Sequence, residues 1–377
     1  MKLTCVKDNL THGLSVVGRA VASRTTLPVT QNVLITTDNA RLRLSATNLE
    51  IAITTWIGVM VEEEGSITVP ARLFSEFVNS LPSEHVAIAD ATKPRGIQLV
   101  CGRAEARING TDAEEFPPIP TVEEGIPLKV ATGVLRNAIS RVVFAAATEE
   151  SRPVLTGVKL EVDGDQFTMA AADGFRLAVQ YGKLEEAVSE PVEVIIPAKA
   201  LQEIGRFLDD GDPYVEIMVT ASKSQILFKM KDIEVVSQLI QGTFPNYKPL
   251  IPDSHQTSCK VPLDEYLQVA RTASIFARDG NGIVRIELIP TEGDVAGKII
   301  MSARTDEVGD HKGELDASVQ GEMGKVAFNS RYLMDVLSAV DSKEISLELG
   351  TPSSPGVFRM VGSDDYVHVV MPMFVQW

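Results

Sequence analysis

Three stretches of the sequence share one pattern, in which an alternating apolar run, a turn signal and a second alternating run follow one another. These stretches are residues 32–53, 157–179 and 282–308. Alternation with a period of two is typical of half-buried strands, and Asp38-Asn39 and Asp163-Gly164 are two-residue hairpin signals. Successive copies lie about 125 residues apart, which is domain size, whereas solenoid repeats span about 20–50 residues. The pattern predicts a fold built from three similar parts.

Two helices accompany each hairpin. An amphipathic helix precedes it, and a short β-branched strand with about three turns of helix follows it. Apolar residues recur at spacings of three and four, as in Leu201, Ile204 and Leu208. The predicted helices span residues 8–22, 71–80, 132–147, 198–208, 263–277 and 331–340. The alternative is three unrelated α+β units that are alike by chance.

Proline-rich segments separate the copies. Residues 114–127 contain four prolines and residues 242–254 contain three, which predicts extended, ordered connectors. We therefore predict three domains of one α+β fold, covering residues 1–121, 128–250 and 251–377.

Length and composition exclude several classes of protein. The 377 residues are 44% hydrophobic and 23% charged, which is typical of a globular chain with two or three domains. The first residues lack the apolar segment of a secretory signal, and no run reaches the ~18 apolar residues of a membrane span. Cys5, Cys101 and Cys259 are far apart, which is typical of reduced thiols. We expect a cytoplasmic protein with no membrane partner.

The sequence contains none of the common catalytic motifs. The phosphate-binding loop, the nucleophile elbow and the zinc motifs HExxH and CxxC are all missing from it. The acidic segment LDDGDPY, residues 208–214, lacks the ligand spacing and final glutamate of a calcium loop and is better explained as a turn that ends a helix. We predict that the protein is not an enzyme and binds no cofactor and no metal ion.

Charge is distributed unevenly along the chain. The predicted helices carry eight basic and six acidic side chains, a net charge of +2, whereas the formal net charge of the whole chain is −16. Two explanations are open: arginine is common in helices, or the helices share a basic face and the strands form an acidic exterior.

A ring of helices would fit the second explanation. A helix is about 10 Å across, so twelve helices side by side enclose a hole of roughly 28 Å, whereas six leave only about 9 Å. Duplex DNA, about 20 Å wide, fits only the larger ring, which two copies of the chain would complete.

Six short segments are together diagnostic of a family. They are SRTTLPVTQNVLI (23–35), ATNLEI (46–51), TVPARLF (68–74), AADGFRLAV (171–179), GTFPNYKPLIP (242–252) and VVMPM (369–373). With these segments in this order, the chain resembles the bacterial sliding clamp family, the β subunit of DNA polymerase III, over its entire length.

The resemblance implies a DNA-clamp fold of three similar domains, with helices lining a central hole, antiparallel sheets outside, and two chains closed head to tail into a ring. It implies a non-catalytic processivity factor of DNA replication that encircles duplex DNA without sequence specificity. Implied partners are double-stranded DNA, a second copy of the chain in a homodimer, the DNA polymerase III α subunit, the clamp loader and other clamp-motif proteins. The alternative function is a non-DNA protein-interaction scaffold with the same threefold fold.

Three functional surfaces are predicted. The basic residues on and beside the predicted helices are the candidates for the first surface, with Arg24 and Arg72 favoured because they lie in segments that match the family, and the resemblance implies the other two surfaces. Candidate DNA contacts are Arg24, Arg72, Arg136, Arg141, Lys199, Arg206, Arg278 and Arg331. The implied dimer interface comprises Ile108, Ile275 and Phe276, and the alternative is that these residues fill the core of their own domain. The implied partner-peptide pocket comprises Leu155, Ala172, Gly174, Phe175, Arg176, Leu177, Pro245, Pro249, Leu250, Val369, Met371, Pro372 and Met373, with Arg176 donating to the carbonyls of the peptide.

The sequence departs from the family pattern in two places. After Arg152, Pro153 and Val154 stand where many members carry aromatic residues, and neither side chain can stack on a base of single-stranded DNA. Beyond Met373 the chain continues as FVQW, which either extends the rim of the pocket or folds over it.

Overall fold

The computed structural model describes residues 1–209, 211–278, 281–290, 296–305 and 309–376. Asp210 of the acidic turn, residues 291–295 and 306–308 of the third predicted hairpin, and Trp377 lie outside the described residues. The chain divides into two compact units. The first comprises Met1–Gly133 and Glu203–Leu239, and the second Val134–Gln202 and Ile240–Trp377.

In the first unit, the described strands form one antiparallel sheet of twelve. They are β1 (Lys2–Val6), β2 (Asn32–Asp38), β3 (Arg41–Thr47), β4 (Ile51–Glu63), β5 (Ser66–Pro70), β6 (His85–Thr92), β7 (Arg95–Cys101), β8 (Ala104–Asn109), β9 (Ile126–Ala131), β14 (Tyr214–Val219), β15 (Gln225–Lys229) and β16 (Ile233–Gln238). The main path is β8-β7-β6-β1-β4-β16-β15-β14-β9, and β3, β2 and β5 branch from β4. β8 is therefore an edge strand of the described sheet.

Two helices pack in the first unit. α1 (Lys7–Val17) buries Leu10 and Leu14, and α2 (Ala71–Ser80) buries Phe74. A Cβ atom on Gly13 would lie 2.8 Å from Cδ1 of Leu44. Glycine at this position therefore allows α1 to lie directly on β3.

The second unit contains two antiparallel sheets in its described part. The sheet of nine has the order β13-β10-β11-β12-β25-β24-β23-β17-β21, formed by β10 (Gly157–Asp163), β11 (Gln166–Ala172), β12 (Arg176–Lys183), β13 (Val192–Pro197), β17 (Thr257–Pro262), β21 (Ser318–Gly321), β23 (Glu344–Leu349), β24 (Gly356–Met360) and β25 (Tyr366–Val370). The sheet of four has the order β20-β19-β18-β22, formed by β18 (Ile283–Ile289), β19 (Lys298–Thr305), β20 (Gly309–Asp316) and β22 (Gly324–Asn329).

Helices cover the core of the second unit. α5 (Leu263–Arg278) packs on the sheet of four and against α6 (Ser330–Ala339), and Tyr266 and Leu333 are fully buried there. α3 (Thr132–Val142) and α4 (Ala198–Gly205) contain two of the three points at which the chain passes from one unit to the other, and the third point follows Leu239.

Three helices end several residues earlier than the sequence predicts, and of these α4 ends at Gly205 instead of residue 208. α1 ends at Val17 and α3 at Val142, and the 3-10 turns Gly18–Ala20 and Val143–Ala145 follow them. Such tightening is common at helix C-termini, because the last carbonyls have no α-helical partner and bond three residues ahead instead.

Both predicted hairpin turns are shifted by one residue. Asp38 pairs with Arg41, so the turn residues of the first hairpin are Asn39 and Ala40, with φ of 46° and 64°. The second hairpin shows the same shift. The buried alternating residues of β3 fix this register, because a slip of one residue would move them to the other face of the sheet.

Candidate functional site

Four residues predicted for the partner-peptide pocket come together in the second unit. One buried apolar cluster contains Leu155, Ala172, Leu177 and Val369. They come from four separate segments, which are the 3-10 turn Pro153–Thr156, β11, β12 and β25. Leu177 and Val369 are opposite each other in the β12–β25 pair. Distant parts of the chain thus build one apolar floor.

Exposed side chains border this floor. The exposed members of the predicted pocket are Gly174, Phe175, Pro245, Pro249, Leu250, Met371 and Met373, and Pro372 is half-buried. The Met371 amide donates to the Phe175 carbonyl over 2.8 Å, which joins the terminal segment to the turn before β12. Adaptable methionine and aromatic side chains on an accessible apolar surface are typical of a peptide-binding surface.

A tight turn presents Phe175 at this surface. The Asp173 carboxylate accepts the amide of Phe175 at 2.9 Å and the amide of Arg176 at 3.0 Å. Gly174 has φ of +93°, a left-handed conformation that costs glycine little. The Phe175 ring stacks on Tyr332, with 6.4 Å between the ring centres.

Arg176 donates three hydrogen bonds inside its own unit. Its side chain is buried, and its Nε donates to Asp173 over 3.0 Å. One terminal nitrogen donates to the Asp335 carboxylate and the other to the Phe144 carbonyl. The expectation that Arg176 donates to a peptide stays a prediction, because the internal acceptors use three of its five N–H groups and leave two. Arg176 holds the turn at Asp173 in place.

The pocket predicted from the sequence does not include Tyr332 or Arg152, which lie beside this turn in the structure. The ring of Tyr332 lies 4.5 Å from the guanidinium carbon of Arg176. Burial, together with the Asp173 carboxylate, raises the pKa of Tyr332. A Cβ on Gly174 would lie 3.2 Å from Nη1 of Arg152, so both residues border the turn. Tyr332 could have been found as an aromatic residue next to, but outside, the apolar stripe of the predicted helix 331–340.

Phe374, the residue that follows Met373, is exposed to solvent. The Met373 amide donates to the Ala327 carbonyl of β22 over 2.7 Å. Phe374 is 90% exposed. The side chain of Phe374 therefore does not fold over the pocket, which was one of the two alternatives for FVQW.

Seven of the eight candidate DNA contacts are accessible. Arg24, Arg72, Lys199, Arg206, Arg278 and Arg331 are exposed, and Arg136 is half-buried. The Arg72 side chain is 91% exposed and pairs with Glu76 over 2.8 Å, one helical turn away. Such an exposed pair contributes little to stability, so the guanidinium can exchange Glu76 for a phosphate at low cost.

Arg141 is the exception. It is buried, it donates to Gln180 over 3.1 Å, and it forms ion pairs with Asp341 and Asp365. The expectation that Arg141 contacts DNA is wrong for this structure, because its charge is compensated inside the second unit.

The three residues expected at the dimer interface differ in exposure. Ile275 is 53% exposed on α5, and the half-buried Phe276 stacks on His311 with 5.5 Å between ring centres. Ile108 is only 2% exposed and lies opposite Ile97 in the β7–β8 pair. Ile108 therefore fills the core of its own unit and presents no side chain to a second chain.

Family models cover nearly the whole chain. The model of the DNA polymerase III beta subunit N-terminal domain matches residues 1–120, that of the central domain residues 129–246, and that of the C-terminal domain residues 248–374. The chain belongs to the DNA polymerase III beta subunit family. The predicted family is thus confirmed.

Curated relatives and solved structures agree with this assignment. The beta sliding clamp of Bacillus subtilis is 32% identical over 99% of both chains, and that of Staphylococcus aureus is 30% identical over 99% of both. The crystal structure of the Bacillus subtilis DNA polymerase sliding clamp covers 100% of both chains with a TM-score of 0.93. The beta chain from Streptococcus pneumoniae, 27% identical, covers 99% of this chain and 100% of its own with a TM-score of 0.91.

These findings confirm the three-domain clamp fold and support a DNA sliding clamp function. They also support the prediction of a sliding clamp that is a non-catalytic subunit of the polymerase. Sliding clamp identity further implies partnership with DNA and a polymerase.

Two features are absent from the described residues. No helix there is both long and apolar enough to cross a membrane. Within the same residues, no group of three or more histidine, cysteine, aspartate or glutamate side chains is arranged to hold a metal ion.

Proposed function

We propose that two copies of this chain close head to tail into a ring that encircles duplex DNA and tethers the replicative polymerase to it. The observation that carries the proposal is the match of all three domains, over the full length, to sliding clamps. We also propose the domain division 1–121, 128–250 and 251–377, which the ranges of the three family models support, and a cytoplasmic location.

The proposed DNA contacts are Arg24, Arg72, Arg136, Lys199, Arg206, Arg278 and Arg331. Their accessibility supports this role. Contacts from arginine and lysine to phosphates carry no sequence information and weaken with salt, as a ring that must slide requires.

The proposed partner site is the surface over the buried cluster of Leu155, Leu177 and Val369. Its partners would be the DNA polymerase III α subunit, the clamp loader and other clamp-motif proteins, each inserting a short apolar peptide. The exposed Phe175, Met371 and Met373 support this proposal, because they border an apolar floor and the two methionine side chains are adaptable. A peptide of the type Gln-Leu-x-Leu-Phe should bind with micromolar affinity or somewhat more weakly.

The proposed ring contact lies between the first domain of one chain and the third domain of the other. β8 and β20 are both edge strands of their described sheets, and exposed edges are available for pairing with a second chain. Ile275 and Phe276, on the helix that packs against β20, would supply the apolar part of this contact.

Retention on DNA tests the encirclement. A clamp loader would place the protein on primed circular DNA, and the bound fraction would be measured at moderate salt before and after a restriction enzyme cuts the circle. We expect the protein to stay on the circle and to leave the linear DNA over its ends. Equal loss from both templates would contradict encirclement and favour an interaction scaffold.

A further inference from the structure

The connector that carries Pro245, Pro249 and Leu250 is held by one buried tyrosine. Tyr247 is only 3% exposed, and its hydroxyl donates to the Glu161 carboxylate of β10 over 2.6 Å. Its ring belongs to the same apolar cluster as Leu177 and Val369. Tyr247 thus touches the floor of the proposed partner site with its ring and a distant strand with its hydroxyl.

A lysine completes this arrangement. The Lys159 ammonium forms ion pairs with Glu161 at 3.1 Å and Glu193 at 3.0 Å, and it lies 5.9 Å from the centre of the Tyr247 ring. Burial would raise the pKa of Glu161, but the hydrogen bonds from Tyr247 and Lys159, with the lysine charge, lower that pKa overall. Glu161 is therefore a charged acceptor at neutral pH, and hydrogen bonds to charged groups are the stronger kind.

The connector around Tyr247 is fixed to this anchor through its backbone. The Leu250 amide donates to the Tyr247 carbonyl over 2.9 Å. The Phe244 ring packs edge-on against Tyr247, with 6.3 Å between centres. In the chain, Pro245 lies between Phe244 and Tyr247, and Pro249 lies between Tyr247 and Leu250. The position of the exposed wall therefore depends on where Tyr247 is held.

We propose that Lys159, Glu161 and Tyr247, here called the anchor triad, set the affinity of the partner site by fixing the wall formed by residues 245–250. The inference rests on the proposed function of that site. Tyr247 and Lys159 are buried, and the role proposed for the triad is to position the wall rather than to bind the peptide. A wall that is already ordered costs less entropy when an apolar peptide binds, and release of the anchor would add that cost.

Peptide binding to the full-length protein tests the proposal. The probe is a fluorescein-labelled Gln-Leu-Ser-Leu-Phe peptide, with Kd measured by anisotropy. Tyr247→Phe removes only the anchoring hydroxyl and should raise Kd about tenfold, equivalent to about 1.4 kcal/mol. Hydrogen exchange of the Leu250 amide should accelerate in the same variant.

A matched control is available in the same unit. Tyr266 is fully buried, but its hydroxyl has no hydrogen-bond partner among the described residues. Tyr266→Phe makes the same chemical change without releasing an anchor, and Kd should stay within about twofold of wild type. Glu161→Gln keeps an acceptor for Tyr247 and should raise Kd less than Glu161→Ala does.

Failure of the inference can be told apart from failure of the site. Met371→Ala with Met373→Ala alters only exposed side chains of the proposed site and should abolish binding. If this double variant loses the peptide while Tyr247→Phe binds like wild type, the anchor triad does not set affinity. If the double variant also binds like wild type, the site itself is misplaced.

Discussion

The ring of His368 stacks on those of Phe144 and Tyr366, with centroid distances of 5.5 and 6.3 Å. Its Nε2 has no hydrogen-bond partner among the described residues. Burial, with a smaller effect of the Arg176 charge, lowers the pKa of His368 to about 3. The folded protein therefore holds His368 neutral at pH values where the unfolded chain protonates it.

His368→Phe should remove an acid-dependent loss of stability. The pKa of histidine is about 6.5 in an unfolded chain. Because the folded pKa is lower, the stabilising contribution of neutral His368 is complete above about pH 6.5 and decreases by about 1.4 kcal/mol per pH unit as the pH falls. Urea unfolding between pH 7.5 and 4 would measure the difference in free energy of unfolding between the two proteins. All other titrating groups are common to both proteins, so only His368 should make the two curves of unfolding free energy against pH diverge. Parallel curves would contradict this account.

Leu177→Ala combined with Met373→Ala should abolish peptide binding, because it removes one floor and one rim side chain of the proposed site. Leu177 is fully buried, so its truncation also lowers the free energy of unfolding by about 2–5 kcal/mol. Anisotropy with the labelled peptide measures the binding, and retention on circular DNA checks that the ring still closes. Met373→Ala alone changes an exposed side chain and creates no core cavity. It therefore serves as the control that separates loss of the binding surface from loss of stability. Wild-type affinity in the double variant would show that the site is assigned wrongly.

The periodicity of the sequence predicted the positions of helices well. The roles predicted for single residues were less reliable. α2 matches the predicted span 71–80, because its apolar stripe is local information. Arg141 was misassigned because its partner Asp341 lies 200 residues away, and no local pattern reveals such a carboxylate. For Ile108, the sequence did contain a usable pattern. Glu105 and Arg107 are exposed on β8, and the alternation of side chains along a strand places Ile108 on the opposite, buried face.

Basic residues on and beside the helices should determine the salt dependence of DNA binding. Arg24→Ala with Arg72→Ala should reduce the slope of log affinity against log salt concentration by about 0.9 for each phosphate that is no longer neutralised. Binding of the protein to duplex DNA would be measured at several concentrations of potassium chloride. Arg95, which is exposed on β7 and pairs with Asp112, is the control, and Arg95→Ala should leave the slope unchanged. An unchanged slope in the double variant would exclude both residues from phosphate contact.

The proposed ring closure would use surfaces that a single chain leaves open. Among the described residues, β8 is an edge strand of the sheet in the first unit, and β20 is an edge strand of the four-stranded sheet in the second unit. Unpaired backbone groups on such edges favour pairing with another chain. The exposed Ile275 lies on the helix that covers β20, so an apolar contact would accompany the strand pairing.

Ile275→Asp should convert the ring into folded monomers, because burying an unpaired carboxylate in an apolar contact costs several kcal/mol. Sedimentation velocity would measure the mass, and circular dichroism would check the fold. Val134 on α3, an exposed apolar helical residue outside the proposed contact, provides the control, and Val134→Asp should remain dimeric. Loss of structure in Ile275→Asp would mean that Ile275 supports its own unit. A dimer that persists in the folded variant would place ring closure elsewhere on the molecule.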